Sequence, residues 1–370
     1  MIYINACSAI IPGLDQGTKF GSLIPTQDIL EQIKIEPSDD FSNDFIAKRL
    51  GIETVARSNS SIEAISAALK DPRSSKKQYS LNHENSDLKE MTCQVIRECL
   101  PADDDKEKVI AHIHVTGTAM PNHGHFLSEC RKLVNVSEGN YIPTIFHIKG
   151  CSGIYDAIIS AEGYLARMRK EAIVLVTSDS NLLPFVGQAS IRHAHVKNIN
   201  EWLYPVIFAE GVGCIALSNS LKKDRVSLRF ESSKIQMVTQ ENRVRVTTIK
   251  NELACFVSAK EVSATYQAGM SFNLSEAKKK IRNDFKDVHA VLIHESNPNL
   301  LDLIVKKYEI PPHLVPKFSD KIGTLGPVSS FQLIETVFKQ NIGVNKDVIL
   351  CVIGELFSGV NAGIMMFKSA

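Results

Sequence analysis

The sequence predicts an α/β fold, on three observations: short continuous apolar runs that read as strands buried on both faces, helical patterns between them, and one order of elements that occurs twice. At 370 residues and 44% hydrophobic, the chain can bury a large core, as one unit or as two fused halves. The strands with the clearest apolar runs are Val109–Thr116, 173–177, 213–217, Val288–Ile293, 348–353 and 362–367. The C-terminal stretch "VILCVIGELFSGVNAGIMMF" has the length of a membrane span, but Glu355, Asn361 and three glycines interrupt it. Two buried strands joined by a tight turn account for it better. A helix is expected after Ser60 inside a serine-rich, lysine-rich insert, and Ser275 is a candidate helix N-cap.

Comparison of the two parts of the chain shows the repeat. "KVIAHIHVTGT" resembles "DVHAVLIHESN", and "EAIVLVTSDS" with "GVGCIALS" resembles "DVILCVIGELFSG" with "NAGIMMF". Each part offers strand, polar loop, helix, strand and closing hairpin, so two pseudo-repeated halves are expected, 1–220 and 221–370, joined near 219–225.

Lysine plus arginine (42) nearly cancels aspartate plus glutamate (41). No global field draws such a chain to nucleic acid or to an anionic membrane. Eight cysteines are scattered without a CxxC pair, as thiols of a reducing compartment rather than a disulfide frame. The apolar start "MIYINACSAIIPG" lacks the basic flank of a signal peptide. A cytoplasmic enzyme acting on a small substrate is the expectation.

Cys151 stands apart from the other cysteines. It lies between Gly150 and Ser152, directly after the predicted strand "TIFHI" and directly before a helix whose stripe runs Ile154, Ile158, Ala161, Leu165, Met168. Tyr155, Ile159 and Tyr164 widen that stripe, so the helix is expected to be central and buried. If the first turn holds Cys151, unpaired backbone N–H groups and the positive end of the helix dipole lie beside the sulfur. That setting favours the nucleophilic thiolate over a thiol of ordinary pKa, about 8.5. Gly150 allows a sharp turn from strand to helix, aiming the side chain at a cavity. The other cysteines read as buried filler.

His294, in "AVLIHESNPNLLDLI", sits at the carboxyl end of a predicted strand, where open α/β sheets place functional groups. Asn297 and Pro298 carry the N-cap and first-position signature of the next helix, and capping alone is a sufficient account of Asn297. "KIGTLGPVSS" is a second glycine-rich turn before a helix that Ser329 or Ser330 is placed to cap.

In order along the chain, "CSGIYDAI", "FAEGVGCIAL", "HESNPNLLDLI", "GTLGPVSS" and "GELFSGVNAG" resemble the motif set of the ketoacyl-ACP synthase III family. Earlier, "FIAKRLGIETVAR" resembles that family's Trp-Ile-x-x-Arg-Thr-Gly-Ile segment, with Phe45 for the tryptophan and Leu50 for the threonine. The resemblance implies the thiolase fold, a five-layered α-β-α-β-α arrangement of two halves, usually dimeric. It implies that Cys151 takes an acyl group as a thioester, with the imidazole of His294 beside it. Gly359 matches the glycine whose N–H joins that of Cys151 in an oxyanion hole, and Asn297 matches a third catalytic position. Arg49 matches a residue near the coenzyme A entrance, although an arginine before a turn is more often a surface charge. At Gly323-Thr324-Leu325 the chain departs from the Gly-Asn-Thr usual in members that decarboxylate malonyl-ACP. Losing one such donor costs about 2.7–4 kcal/mol of transition-state stabilisation. Thr324 thus puts malonyl decarboxylation in question while leaving acyl loading intact.

The expected function is acyl transfer through Cys151, from acyl-CoA or acyl-ACP to a carbon nucleophile, in fatty acid, polyketide or secondary-metabolite synthesis. Two alternatives stand beside it: non-decarboxylative transfer to an oxygen, nitrogen or carbon acceptor, and a non-catalytic partner subunit. Homodimerisation is expected, with no resident cofactor and no metal. The pairs His112/His114, His123/His125 and His193/His195 lack a carboxylate or cysteine set at ligand spacing. His112 and His114, alternating on one strand, are expected to share a face and pack or hydrogen-bond internally. "EGVG" at 210–213 precedes a strand, not a helix, so it is a turn rather than a nucleotide fingerprint. Arg131, Lys132, Lys149 and Arg192 are candidates for a basic patch facing a carrier protein.

Overall fold

A strand that is apolar on both faces must be covered twice, and the helices of this chain provide that cover. The computed structural model describes residues 1–32, 48, 51–70, 86–117, 123–136, 141–180, 207–222, 224–239, 244–249, 252–257, 259–281, 285–340, 342–355 and 360–370. The first part of the chain contributes strands β1 (Tyr3–Ile10), β2 (Gly21–Pro25), β3 (Thr54–Ser58), β4 (Val109–Thr116), β5 (Thr144–His147), β6 (Ile173–Ser180) and β7 (Gly211–Ser218). Its helices are α1 (Thr26–Gln32), α2 (Asn59–Lys70), α3 (Ser86–Cys99), α4 (Asp103–Glu107), α5 (His123–Leu133) and α6 (Gly153–Leu165). The second part contributes strands β8 (Leu228–Thr239), β9 (Val244–Ile249), β10 (Glu252–Val257), β11 (Val288–Ile293), β12 (Asp347–Glu355) and β13 (Val360–Ser369). Its helices are α7 (Ala259–Lys280), α8 (Pro298–Lys307), α9 (Ser319–Ile322) and α10 (Ser329–Lys339).

The main sheet runs β11-β12-β13-β8-β1-β7-β6-β4-β5. It is two runs of one pattern, β1-β7-β6-β4 and β8-β13-β12-β11, joined where Tyr3 and Ile4 pair with Arg229 and Leu228. In each run the middle strands are parallel, β4 with β6 and β11 with β12, and the closing strand returns antiparallel, β7 on β6 and β13 on β12. The repeat seen as sequence pattern is thus a repeat of connectivity.

Side-chain alternation separates the layers. Ile113 and Val115 of β4, Val176 of β6, Leu350 and Val352 of β12 and Met365 of β13 converge on Ile154 and Ile158 of α6 and on Phe331 and Ile334 of α10. On the other face of the first run, Leu175 and Cys214 pack under α3 and α5 with Ile96 and Leu127. On the other face of the second, Val291, Ile349 and Cys351 pack under α7 and α8 with Met270 and Leu301. The order is helices, sheet, the α6 and α10 pair, sheet, helices, which is the five-layered arrangement. The connection after β7 is tied down: Asn219 Oδ1 accepts from the Ala172 N–H at 3.0 Å, and Lys222 Nζ lies 2.8 Å from Asp105 and 3.0 Å from Glu171.

The predicted strands are present, most of them longer at one or both ends, and a helix spans Asn59–Lys70. Four local expectations need correction. Ser275 lies inside α7, whose helix runs straight through it, and caps nothing. Ser329 and Ser330 lie in α10 itself, because a 3-10 turn at Gly326–Val328 feeds directly into it and Val328 takes the N-cap position. Gly211 to Gly213 open strand β7 instead of forming a turn. In α6, Ile154, Ile158, Ala161 and Leu165 are buried, but Ile159 and Tyr164 are more than a third exposed, as is Met168 just beyond its end, so only one face meets the central layer.

Glu210, just ahead of β7, is 2% exposed, and its carboxylate accepts from the Ser58 N–H (2.8 Å), the Ser58 hydroxyl (3.0 Å) and the Ser61 hydroxyl (2.7 Å). Hydrogen bonds to a buried charge contribute about 1.5–3 kcal/mol each, and their loss orphans the donors. Glu210→Ala is expected to lower stability by about 3 kcal/mol or more, read as a shift in urea midpoint, with Glu210→Gln losing less.

Candidate active site

Strand β5 delivers the chain to Gly150, which adopts φ +53, a left-handed conformation that disfavours residues bearing a Cβ. A 3-10 turn, Gly150–Ser152, follows, closed by a hydrogen bond from the Gly153 N–H to the Gly150 carbonyl. Cys151 is the middle residue of that turn, and α6 begins two residues later. The thiol therefore stands just ahead of the helix and not within its first turn, because the glycine's backbone closes a tighter loop first. The N-terminal end of α6 still faces it. Cys151 is partly exposed between buried Gly150 and Ser152.

Ser152 rests on β12. A Cβ on Gly354 would stand 2.3 Å from the Ser152 backbone nitrogen and 2.1 Å from its Oγ, so only a glycine fits beneath the cysteine turn. The same turn also touches the Gly326–Val328 turn ahead of α10.

His294 follows the last residue of β11 and is 4% exposed. Its backbone is held on both sides: the N–H donates to the Cys351 carbonyl at 2.9 Å, and its carbonyl accepts from the buried Tyr266 hydroxyl at 2.6 Å. Neither ring nitrogen has a side-chain hydrogen-bond partner among the described residues; the Gly326 backbone is the polar group that faces the ring. Burial pushes the imidazole pKa down to about 4, with the Gly326 backbone pulling weakly in the opposite direction. At neutral pH the ring is therefore uncharged. The Gly326 turn is the common neighbour: it abuts the turn carrying Cys151 and faces the ring of His294.

Thr324 and Asn297 flank this centre. Thr324 is 3% exposed, and its hydroxyl donates to the Ser296 carbonyl at 3.1 Å, so it braces the loop after His294. Its backbone bridges to Phe208. Asn297 caps α8 as expected, its Oδ1 accepting from the N–H groups of Asn299 (2.9 Å) and Leu300 (3.2 Å). Gly359 and Arg49 lie outside the described residues, as does Arg192. The basic patch does not form around Arg131, which is 8% exposed and donates inward to His112 and Thr144. Lys149 pairs with Asp156 at 3.0 Å, while Lys132 is exposed.

Sequence reading missed two supporting residues. Glu295 is wholly buried, and its carboxylate accepts from the Phe318 and Ser319 N–H groups, both at 3.0 Å, and from the Ser319 hydroxyl. It anchors the start of α9 to the residue after His294. Burial pushes its pKa up against those donors. Tyr266 is the other, buried mid-helix in α7. An acidic residue adjoining a strand-end histidine was the available signal for Glu295; nothing in the helical pattern marks Tyr266.

The seven cysteines whose side chains are described form no disulfide with one another. Cys351 is typical of the filler, its thiol pushed up to about 12 by burial.

Two expectations follow. Gly354→Ala must displace Ser152 and with it Cys151, so if Cys151 takes an acyl group as the resemblance implies, acyl loading should fall at least tenfold while the far-ultraviolet circular dichroism is retained. For His294, the folded pKa of about 4 lies below the unfolded value of 6.5, so its contribution to stability is complete above about 6.5 and is lost as pH falls to about 4. The difference is worth about 3 kcal/mol at most. Urea unfolding across that window should show a shallower pH dependence in His294→Gln than in the wild type.

No protein-family model matches the chain, and no curated protein matches it. Solved structures do, over nearly the whole length. OleA of Xanthomonas campestris, crystallised with bound lauric acid and lauroyl-CoA, superposes with a TM-score of 0.74 at 14% identity, covering 99% of this chain and 98% of that one. A tetronic acid condensing enzyme gives 0.74 at 14% identity, covering all of both chains. The 3-oxoacyl-[acyl-carrier-protein] synthase III of Aquifex aeolicus gives 0.69 at 16% identity, again over both full chains. All three are thiolase-fold condensing enzymes, and the fold of the present chain is theirs.

Proposed function

We propose that the protein is an acyl-transferring condensing enzyme of the ketoacyl-ACP synthase III type. The observation that carries the reading is the meeting of three elements at one place: the turn bearing Cys151, the Gly326 turn, and the buried, uncharged ring of His294. In this reading 1–220 supplies the nucleophile and 221–370 the imidazole. The Cys151 thiol gives its proton to His294, and the sulfur bonds to the carbonyl carbon of an acyl-CoA or acyl-ACP. The carrier thiol then departs with that proton. The backbone N–H groups of Cys151 and Gly359 hold the oxyanion. A carbon nucleophile on a second thioester or small polyketide next attacks the acyl-enzyme, and the cysteine is released. Arg49 is assigned to the carrier entrance and Asn297 to support of the second half-reaction. The site asks for no resident cofactor.

A second reading, transfer without decarboxylation to an oxygen, nitrogen or carbon acceptor, is favoured by Thr324. Its hydroxyl proton is directed to the Ser296 carbonyl and so is not offered to a developing enolate. A homodimer is part of the proposal. Among the described residues, strand β5 ends the sheet with β4 as its neighbour on one side alone, and Tyr141 beside it is 89% exposed, so this edge is where a second copy would pair. A cytoplasmic setting, among acyl carrier protein and coenzyme A thioesters, fits the reading.

Mixing the protein with acyl-CoA of graded chain length and recording intact mass is the test. The mass of one acyl group should appear on the wild type and not on Cys151→Ala; a non-catalytic partner subunit gains nothing at any chain length. Adding malonyl-ACP to the acylated enzyme separates the two chemistries, since carbon dioxide release above background supports condensation and its absence supports simple transfer.

A further inference from the structure

Strand β4 presents Ile113 and Val115 to the central layer, which leaves His112 and His114 on the opposite face, under α5. The parallel register sets His114 beside Thr177 and Thr116 beside Asp179 of β6. A guanidinium can only donate, so Arg131 Nη1, 2.7 Å from His112 Nδ1, fixes the His112 proton on Nε2, which points at Thr177 Oγ1 at 2.6 Å. Thr177 Oγ1 in turn lies 2.9 Å from His114 Nδ1. Beyond it, His114 Nε2 is 3.1 Å from Asp179 Oδ1, and His123 Nε2, on the first residue of α5, is 3.8 Å from Asp179 Oδ2.

We propose that His114, His123 and Asp179 bind a divalent transition-metal ion of the zinc class. Their ligand atoms all lie within 4.8 Å of one another, and the three side chains are 2–4% exposed. Ligands about 2.1 Å from a tetrahedral zinc stand about 3.4 Å apart; His114 Nε2 is 3.1 Å from Asp179 Oδ1 and His123 Nε2 is 3.8 Å from Oδ2, so each carboxylate oxygen faces one imidazole near that separation. Two imidazoles and a carboxylate suit zinc or its neighbours better than calcium or magnesium. Thr116 and His114 both hydrogen-bond the buried Asp179 carboxylate, while its Oδ2 has no partner of ordinary hydrogen-bond geometry among the described residues. A buried carboxylate oxygen left so is costly, and a cation beside it removes the cost.

For His114, the surroundings meet the requirement that a ligating histidine donate its other ring N–H. With His114 Nδ1–H donated to Thr177 Oγ1, the lone pair on Nε2 is released to the ion, and Thr177 accepts from both histidines. A solvent molecule completes four-coordination. The ion would clamp the start of α5 to β4 and β6, on the side of the sheet opposite the Cys151 layer. Its role is structural, independent of the acyl-transfer reading. Asp179 lies 65 positions after His114, so no ligand spacing was visible in the sequence.

The test uses the full chain, stripped with chelator and dialysed against Zn²⁺. We expect one zinc per chain by elemental analysis and a higher thermal midpoint with zinc than with chelator. His123→Gln and Asp179→Asn should each weaken zinc binding more than tenfold, while His125→Gln, on an exposed residue of the same helix, should not. Because an interior variant can misfold, Co²⁺ bound to the wild type gives a second readout: ligand-field bands of a low-coordinate nitrogen and oxygen site, without sulfur-to-cobalt charge transfer. No zinc uptake, zinc held equally by all variants, or a thiolate spectrum overturns the proposal.

Discussion

Everything at the candidate site depends on one close approach, that of the Gly150–Ser152 turn to Gly354 of β12. Gly150 supplies a left-handed backbone that lets the chain leave β5 abruptly, and Gly354 supplies the absence of a side chain that lets the turn settle on the opposing sheet. The two glycines come from the two repeats of the strand pattern. In the proposed reading, the contact of Gly354 with Ser152 is what brings Cys151 of one run of the sheet toward His294 of the other.

The histidine shows how burial sets chemistry. Fixing His294 through its backbone, by Cys351 and Tyr266, leaves the buried ring with no side-chain hydrogen-bond partner among the described residues and only the Gly326 backbone facing it. The result is a neutral ring that resists protonation, whose lone pair takes the Cys151 proton in the proposed reading. Glu295 and Thr324 brace the same loop from either side, one through the backbone of Phe318 and Ser319, the other through the carbonyl of Ser296. Thr324 therefore acts first as a brace, which is the physical reason for doubting that it replaces an amide donor in decarboxylation.

The sequence carried the strands, the repeat and the Asn297 cap because these are periodic or local signals: apolar runs, a recurring order, a capping residue ahead of a proline. It carried Cys151 through the glycine and serine around it. It did not carry the 3-10 turn, which arises from the backbone of Gly150, nor the burial of Arg131, whose partners His112 and Thr144 lie on two strands beneath its helix. Asp179 was illegible for the same reason, since only the register of β4 against β6 brings it to His114. Contacts made across a sheet are fixed by pairing, and pairing is not written locally.

The first run of the sheet thus bears two polar centres on opposite faces: a partly exposed thiol toward the central layer and a sealed chain of histidines and an aspartate under α5. The proposed proximity of the thiol and His294 is tested most directly by nitrogen NMR of histidine-labelled protein before and after alkylation of Cys151. A shift of the His294 ring resonances on alkylation, absent in Cys151→Ala, is the predicted result; ring resonances unmoved by a fully alkylated Cys151 would contradict the account.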